Sequence, residues 1–384
     1  MDIDNIDYYF DSIDSFYAEL DDMLKRPCCN EQQAQDLITE YIRFLTKYNQ
    51  EFLTSHQELA KVSYKLIDST LFLNHSTSLL GHILHAHALN ASAPPLIAYS
   101  LLYYAGKDEP TWSEFILFQS IKAKRNLLFG KMIGEIREGG FEDVKVLGVS
   151  FSLLFEMCKL FKLSEQDQEL LDAPLFHYFL DLVEATRGDA DESFNYNVIR
   201  FITVLNEQFL MSNSDNLLTR ALLERRADTF CANLIFMLNR SSSDEACIQL
   251  LILKSLYCIF TRHGLYEYFY TNDLYVLLDI ILRELCNLGD TKEAQTLREA
   301  YLRVLEPLLE NTQLQEQPYK QDEIYRTLNQ LINPVMKRRV RTTTKRIVGR
   351  IIETNDYLSD SSSSSSSPTT PDSLRPLASS TICK

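Results

Sequence analysis

The sequence predicts an all-α protein: an irregular helical solenoid with a disordered C-terminal tail. Three observations carry the prediction. Apolar residues recur at alternating spacings of three and four over most of the chain. Gly and Pro number only 11 each in 384 residues, and the periodic segments between them are rich in strong helix formers. The segments are separated by short breakers and show no clean internal repeat, which fits an irregular stack better than a consensus one.

The first segment sets the pattern. Ile3, Ile6, Phe10, Ile13, Tyr17, Leu20 and Leu24 form one stripe with Asp and Glu opposite. Three heptads are too few to require a coiled coil, so this helix is expected to pack on the next one. Further helices are predicted near 31–53, 56–73, 77–90, 94–105, 111–137, 141–162, 174–187, 192–211, 215–239, 244–262, 273–287, 291–311 and 320–332. Pro27, Asn90 to Pro95, Gly106 to Pro110, Gly139-Gly140 and Gly289-Asp290 are among the breakers. The stretch 148–155 would pass for a strand, but its flanks keep helical period. Segments 94–105, 244–262 and 273–287 are apolar nearly all round and need neighbours on several sides. No composition shift divides 1–333, which is read as one helical domain.

The tail, 334–384, has another character. Seven basic residues fall between 337 and 350, and Val340, Ile347, Val348, Ile351 and Ile352 mark a short apolar stripe among them. Three readings fit: an import-like signal, a contact for an anionic surface, or a helix docked on the acidic body. A Ser-rich tract from 359 cannot bury enough apolar surface to fold. Ser367-Pro368 and Thr370-Pro371 fit a minimal proline-directed phosphorylation pattern, and the two prolines spell one PxxP.

Charge and cysteine usage narrow the function classes. The net charge of −15 lies in the body, while the tail is basic. An acidic body repels phosphate backbones, so the main fold is not expected to bind nucleic acid. The acidic N-terminus fits neither a secretory signal nor a transit peptide. Eight scattered Cys with no CxxC pair read as reduced thiols rather than a disulfide or zinc framework. Residues 69–106 hold no Asp, Glu, Lys or Arg, but polar residues break them into pieces too short to span a bilayer.

No nucleophile elbow, phosphate loop, Rossmann fingerprint or HExxH motif occurs. The strongest metal candidate is "HILHAH". His82 and His85 share a helix face and His87 lies off it, so ordinary hydrogen-bonded histidines are the simpler reading and no metal or cofactor is expected. The densest feature is "GLYEYFYTNDLYVLLDIILREL" at 264–285. Its aromatics do not keep helical period, so they cannot all face a core. Tyr266, Tyr268 and Tyr270 are candidate partner contacts, against a reading in which their hydroxyls tie down a loop. Asp279 and Arg283 stand four apart, either as an ion pair fixing helix register or as a polar handle for a partner. Thr271 or Asn272 is expected to cap a helix starting at Asp273.

The segments "LKSLYCIFTRHGLYEYFYTNDLYVLLDIILREL" (253–285) and "LREAYLRVLEPLLENTQLQEQPYKQDEI" (297–324) resemble the WISH/DIP/SPIN-ninety family, in its compact fungal, Dip-type form. The family-specific core is placed at about 215–330, and the N-terminal half is similar only in being helical. The Src-homology-3 domain of larger relatives is lacking. The resemblance implies an armadillo-like fold and a non-catalytic activator of the actin-related protein 2/3 complex. It also implies linear, unbranched filaments started without a preformed filament, seeding branched networks at cortical endocytic actin patches. The implied location is the cytoplasm and cytoskeleton. The resemblance does not say which exposed residues touch the partner. Two other readings stand beside it: a generic armadillo-like adaptor, marked by a groove with an Asn and Trp ladder, and a hydrolase built on "HILHAH". A monomer is expected.

Overall fold

The computed structural model describes residues 10, 12–91, 95–139, 143–242, 245–333 and 341–355. Ile3 and Ile6 of the first stripe, Val340 and the Ser-rich tract lie outside them. The described residues are overwhelmingly helical. Their only paired strands form one two-residue hairpin, β1 (Ile121–Lys122) with β2 (Arg125–Asn126).

The chain forms two compact units, Met1–Asp273 and Leu274–Lys384. The first unit opens with α1 (Ile13–Leu24), α2 (Glu31–Phe52), α3 (His56–Ile67) and α4 (Thr70–His82). A π-helix, Ile83–Leu89, continues from α4. Next come α5 (Leu96–Asp108), α6 (Pro110–Ser120), the hairpin, α7 (Leu127–Arg137) and α8 (Val144–Leu160). Then follow α9 (Glu165–Gln168), α10 (Ala173–Ala185), α11 (Ser193–Ser212), α12 (Leu217–Glu224), α13 (Asp228–Arg240) and α14 (Ala246–Thr261). The single domain expected over 1–333 spans the division between the units.

Local chemistry sets these starts. Ser12, Asn30, Ser55, Ser69, Asp143, Asp172 and Asn216 each offer a side-chain oxygen to a first-turn N–H. At Ser55 the carboxylate of Glu58 returns the bond, completing a capping box. As expected, α1 packs on α2, with Phe16 stacked on Phe44 and Phe52 at 5.6 and 4.7 Å. The ambiguous stretch 148–155 is helical within α8, whose residues 149–155 are all buried.

The order within the first unit is that of a stack. Helices α3, α5, α8, α11 and α14 touch in succession and form one continuous row. Helix α10 packs against α11, α12 and α13, and α7 against α8. Members of the row need apolar surface on more than one side. Phe151 and Phe201 are fully buried, with ring centroids 5.6 Å apart where α8 meets α11.

Three predicted helices are interrupted: the one expected over 56–73 stops at Ile67 and the chain resumes as α4 at Thr70, and two others break in mid-run. The helix expected over 111–137 is α6 and α7 with the hairpin between them. The helix expected over 215–239 is α12 and α13, broken at Arg225-Arg226-Ala227. Neither break contains Gly or Pro.

The second unit takes up α15 (Thr271–Asn287) from Leu274 and adds α16 (Lys292–Asn311), α17 (Gln321–Ile332) and α18 (Thr342–Thr354). Helix α18 lies beyond the boundary read at 333, within the segment read as tail. Its Ile347, Val348 and Ile351 are buried, and it packs on α16 and α17. Arg350 pairs with Glu306 at 2.8 Å and Arg341 with Glu299 at 3.6 Å. Of the three readings of the basic segment, the docked helix is the one found for 342–354. Its apolar stripe was sufficient to fold it.

Candidate functional site

The sequence singled out five residues in 264–285. Tyr266, Tyr268 and Tyr270 belong to the first unit, and Asp279 and Arg283 to the second.

In the first unit Tyr268 is buried, and its hydroxyl plugs the break between α12 and α13. It accepts from the Ala227 N–H at 2.6 Å and donates to the Arg225 carbonyl at 2.9 Å. Burial pushes the phenol well above its ordinary range, so it keeps the proton it donates. Arg226 closes over the outside. It grips Asp228 through Nε and Nη2 at 3.0 and 2.7 Å and donates to the Tyr268 carbonyl at 2.9 Å. Its guanidinium lies 5.0 Å from the Tyr268 ring centroid and 5.5 Å from that of Tyr270.

Tyr270, two residues on, is 60% exposed. Among the described residues only a long 3.4 Å bond to Asp228 engages its hydroxyl. Tyr266 is half-buried beside His263, with centroids 5.8 Å apart. Gly264 makes the turn into the loop at φ +94°. A Cβ there would meet Leu223 at 2.8 Å and force a left-handed backbone on an L residue. The arrangement gives a rigid loop that presents one tyrosine ring and one braced guanidinium.

In the second unit the expected i,i+4 pair is not formed. Asp279 pairs with Lys320 at 2.9 Å and accepts from the Tyr319 hydroxyl at 3.4 Å. Tyr319 itself stacks on Tyr275 at 4.3 Å. Lys320 adopts φ +54° just before α17, which helps direct its amine to Asp279 and Glu323. Arg283 instead reaches its neighbour Glu284 at 2.9 Å and remains exposed. Helix α15 begins at Thr271, two residues before the expected start, so neither Thr271 nor Asn272 stands before it as a cap.

"HILHAH" resolves differently from its spacing. The π-helix widens the turn, so His82 meets His87 five residues on, while His85 is exposed. Their Nε2 atoms lie 3.0 and 3.1 Å from Thr39 Oγ1. That hydroxyl gives its proton to the Gln35 carbonyl at 2.9 Å and so accepts from both rings. Burial lowers both imidazole pKa values; Asp36 opposes this at His82, while His82 and Arg43 add to it at His87. Among the described residues no three His, Cys, Asp or Glu are placed to hold a metal ion. Cys158 and Cys231 are buried thiols whose pKa burial raises. No helix among the described residues is long and apolar enough to cross a membrane.

A second surface escaped the sequence reading. A cavity of about 640 Å³ opens on the first unit, with walls from α5, α8, α11, α13 and α14. Arg200 lies 4.2 Å over the Phe155 ring, and Arg240 lies 4.9 Å over Phe236 at its margin. Glu156 answers both Lys159 and Arg200. The spacing of Tyr196 and Arg200 was the available signal, but it resembles any polar helix face. Trp112, the mark expected of an adaptor groove, packs edge-on to Phe72 at 5.0 Å and does not line this cavity.

Residues 191–324 match the SPIN90/Ldb17 leucine-rich domain. The chain is 26% identical to protein LDB17 of Saccharomyces cerevisiae over 370 residues, covering 84% of this chain and 74% of that protein. It is 27% identical to protein dip1 of Schizosaccharomyces pombe over 343 residues, covering 83% and 86%. Protein LDB17 of Eremothecium gossypii is 24% identical over 344 residues, covering 82% and 74%. These spans carry the similarity well into the N-terminal half, where the sequence alone offered only helicity. The matched domain holds both segments that carried the resemblance.

Proposed function

This chain belongs to the WISH/DIP/SPIN90 family, and we propose that it is a non-catalytic activator of the actin-related protein 2/3 complex. In this reading it triggers linear, unbranched filaments without a preformed one, and so seeds branched networks at cortical endocytic actin patches. The observation that carries the reading is the leucine-rich domain match over 191–324, which contains Tyr270 and Arg283.

The physics of the task fits such a chain. Its partner must pass from an inactive to a filament-like arrangement. An activator shifts that equilibrium only by binding the second arrangement more tightly, and moving it from about 1:99 to 99:1 takes about 5.5 kcal/mol of differential binding. Binding energy of that kind calls for a preorganised surface burying on the order of 1,000 Å² or more. The proposed contacts divide by role. Tyr270 and Arg283 touch the partner, with Tyr266 and Asp279 beside them in their own units. Tyr268 contributes by holding its loop rigid. The protein acts as a monomer in the cytoplasm, on the cytoskeleton.

The test is filament-by-filament imaging of actin assembly with purified protein and the actin-related protein 2/3 complex, without seeds or other activators. New unbranched filaments in proportion to this protein are expected, fewer with Tyr270→Ala or Arg283→Glu. A folded, helical protein that adds no filaments would overturn the reading.

A further inference from the structure

The hairpin between α6 and α7 has no part in the proposed function, and its chemistry is unlike that of the rest of the chain. Residues 115–134 contain Lys122, Lys124, Arg125 and Lys131 and no Asp or Glu, in a chain of net charge −15. The hairpin turns through Ala123 and Lys124, both left-handed at φ 51° and 68°, without a glycine to ease it. Its base is bolted down. The Asn126 N–H donates to Asp167 at 3.1 Å, Asn126 Oδ1 accepts from the Ser120 hydroxyl and the Phe129 N–H, and Arg125 donates to Gln166 at 2.9 Å.

The tip is left open. All of 121–125 is exposed. Lys122 and Lys124 have no carboxylate partner among the described residues, unlike Lys131, which pairs with Glu135 at 2.7 Å. Beside them Phe118 is 73% exposed and Ile121 42% exposed. A largely bare phenylalanine next to two unpaired ammonium groups is costly to keep in water and matches a boundary between anionic and apolar layers.

We infer that the 118–125 hairpin is a membrane-contact element that docks on an anionic phospholipid surface. Lys122 and Lys124 meet the headgroups while Phe118 and Ile121 enter the acyl boundary. The shape favours a bilayer over a peptide. The tip stands exposed throughout, and the recess at its base holds only about 70 Å³, too little for a docked helix or strand. A fluid surface needs no matching groove.

The experiment is co-sedimentation of the full chain with vesicles of equal parts phosphatidylserine and phosphatidylcholine, and with vesicles of phosphatidylcholine alone. Sedimentation is expected with the anionic vesicles only, and it falls as salt rises. Lys122→Glu with Lys124→Glu lowers the affinity about tenfold or more. Phe118→Ser weakens it while leaving every charge in place. These side chains are exposed, so the variants keep the parental circular dichroism and melting temperature. Failure of the unaltered chain to sediment overturns the inference. So does equal sedimentation of the folded variants, which would assign binding to the basic segment 337–350. Binding of soluble polyglutamate at the hairpin without vesicle binding also overturns it, in favour of an acidic protein surface.

Discussion

Two long helices foretold by periodicity are each interrupted without a glycine or proline, and the two interruptions are opposites. At 225–227 the chain breaks and is closed from outside. The Tyr268 hydroxyl takes the orphaned Ala227 N–H and supplies the Arg225 carbonyl, and Arg226 folds over the plug. At 121–126 the chain breaks and only the base is held, by Asp167 and Gln166, while nothing covers the tip. The hairpin pairs its own two strands and leaves Phe118 and two lysines in solvent. The difference teaches that a helix end is judged by where its polar groups go. A break sealed by a distant side chain is structural, whereas a break sealed only at its base is free to serve another surface.

The largest test of this contrast is Tyr268→Ala. It removes a buried ring and uncaps the α12–α13 break together, so a loss of about 3–5 kcal/mol in urea unfolding is expected. A loss below about 1 kcal/mol would show that the plug is incidental. Tyr268→Phe keeps the ring and deletes the hydroxyl. It strands the Ala227 N–H and is expected to cost about 1–3 kcal/mol.

Smaller still is the pH response of a third irregularity, the π-helix at 83–89. Burial lowers the pKa of His82 and His87, and of His56, where Lys145 adds to the lowering and Asp191 opposes it. A depressed histidine stays neutral in the fold while the unfolded chain takes up protons. Stability is therefore held above about pH 6.5 and lost as pH falls through that value toward the folded pKa. Melting temperatures between pH 8 and pH 5 should fall on the acid side. Replacing His82 and His87 with Gln should flatten that slope. The smallest effect belongs to the open hairpin. Phe118→Ser and Lys122→Glu should each change stability by less than about 0.5 kcal/mol. A larger loss in urea unfolding would mean that the tip is packed after all.

Most helices were legible because their stripes are long. The segments at 31–53, 192–211, 244–262, 291–311 and 320–332 coincide with helices to within about two residues. The interruptions were hidden because their causes lie far away in sequence. Nothing in "ERRAD" announces a tyrosine more than forty positions later, and the two left-handed positions of the hairpin are Ala123 and Lys124, neither a residue that ordinarily marks such a turn. Tyrosine density at 264–270 drew attention to this loop, but density alone did not separate Tyr268, which is buried, from Tyr270, which is not. The Asp279–Arg283 pair failed for a similar reason. Lys320, brought close by the Tyr319 stack, outcompetes a neighbour four residues away. The basic segment was left with three readings because a short apolar stripe does not say what it packs on; Ile347, Val348 and Ile351 are buried.

The row α3–α5–α8–α11–α14 has a mechanical consequence. Each helix touches the next, so a load has a continuous path along the row, as through a stack of coins. In such a row small tilts at each junction add up to a change of curvature. Four members of the row, α5, α8, α11 and α14, also line the cavity, where the exposed Cys247 offers a place for a label that would report such a change.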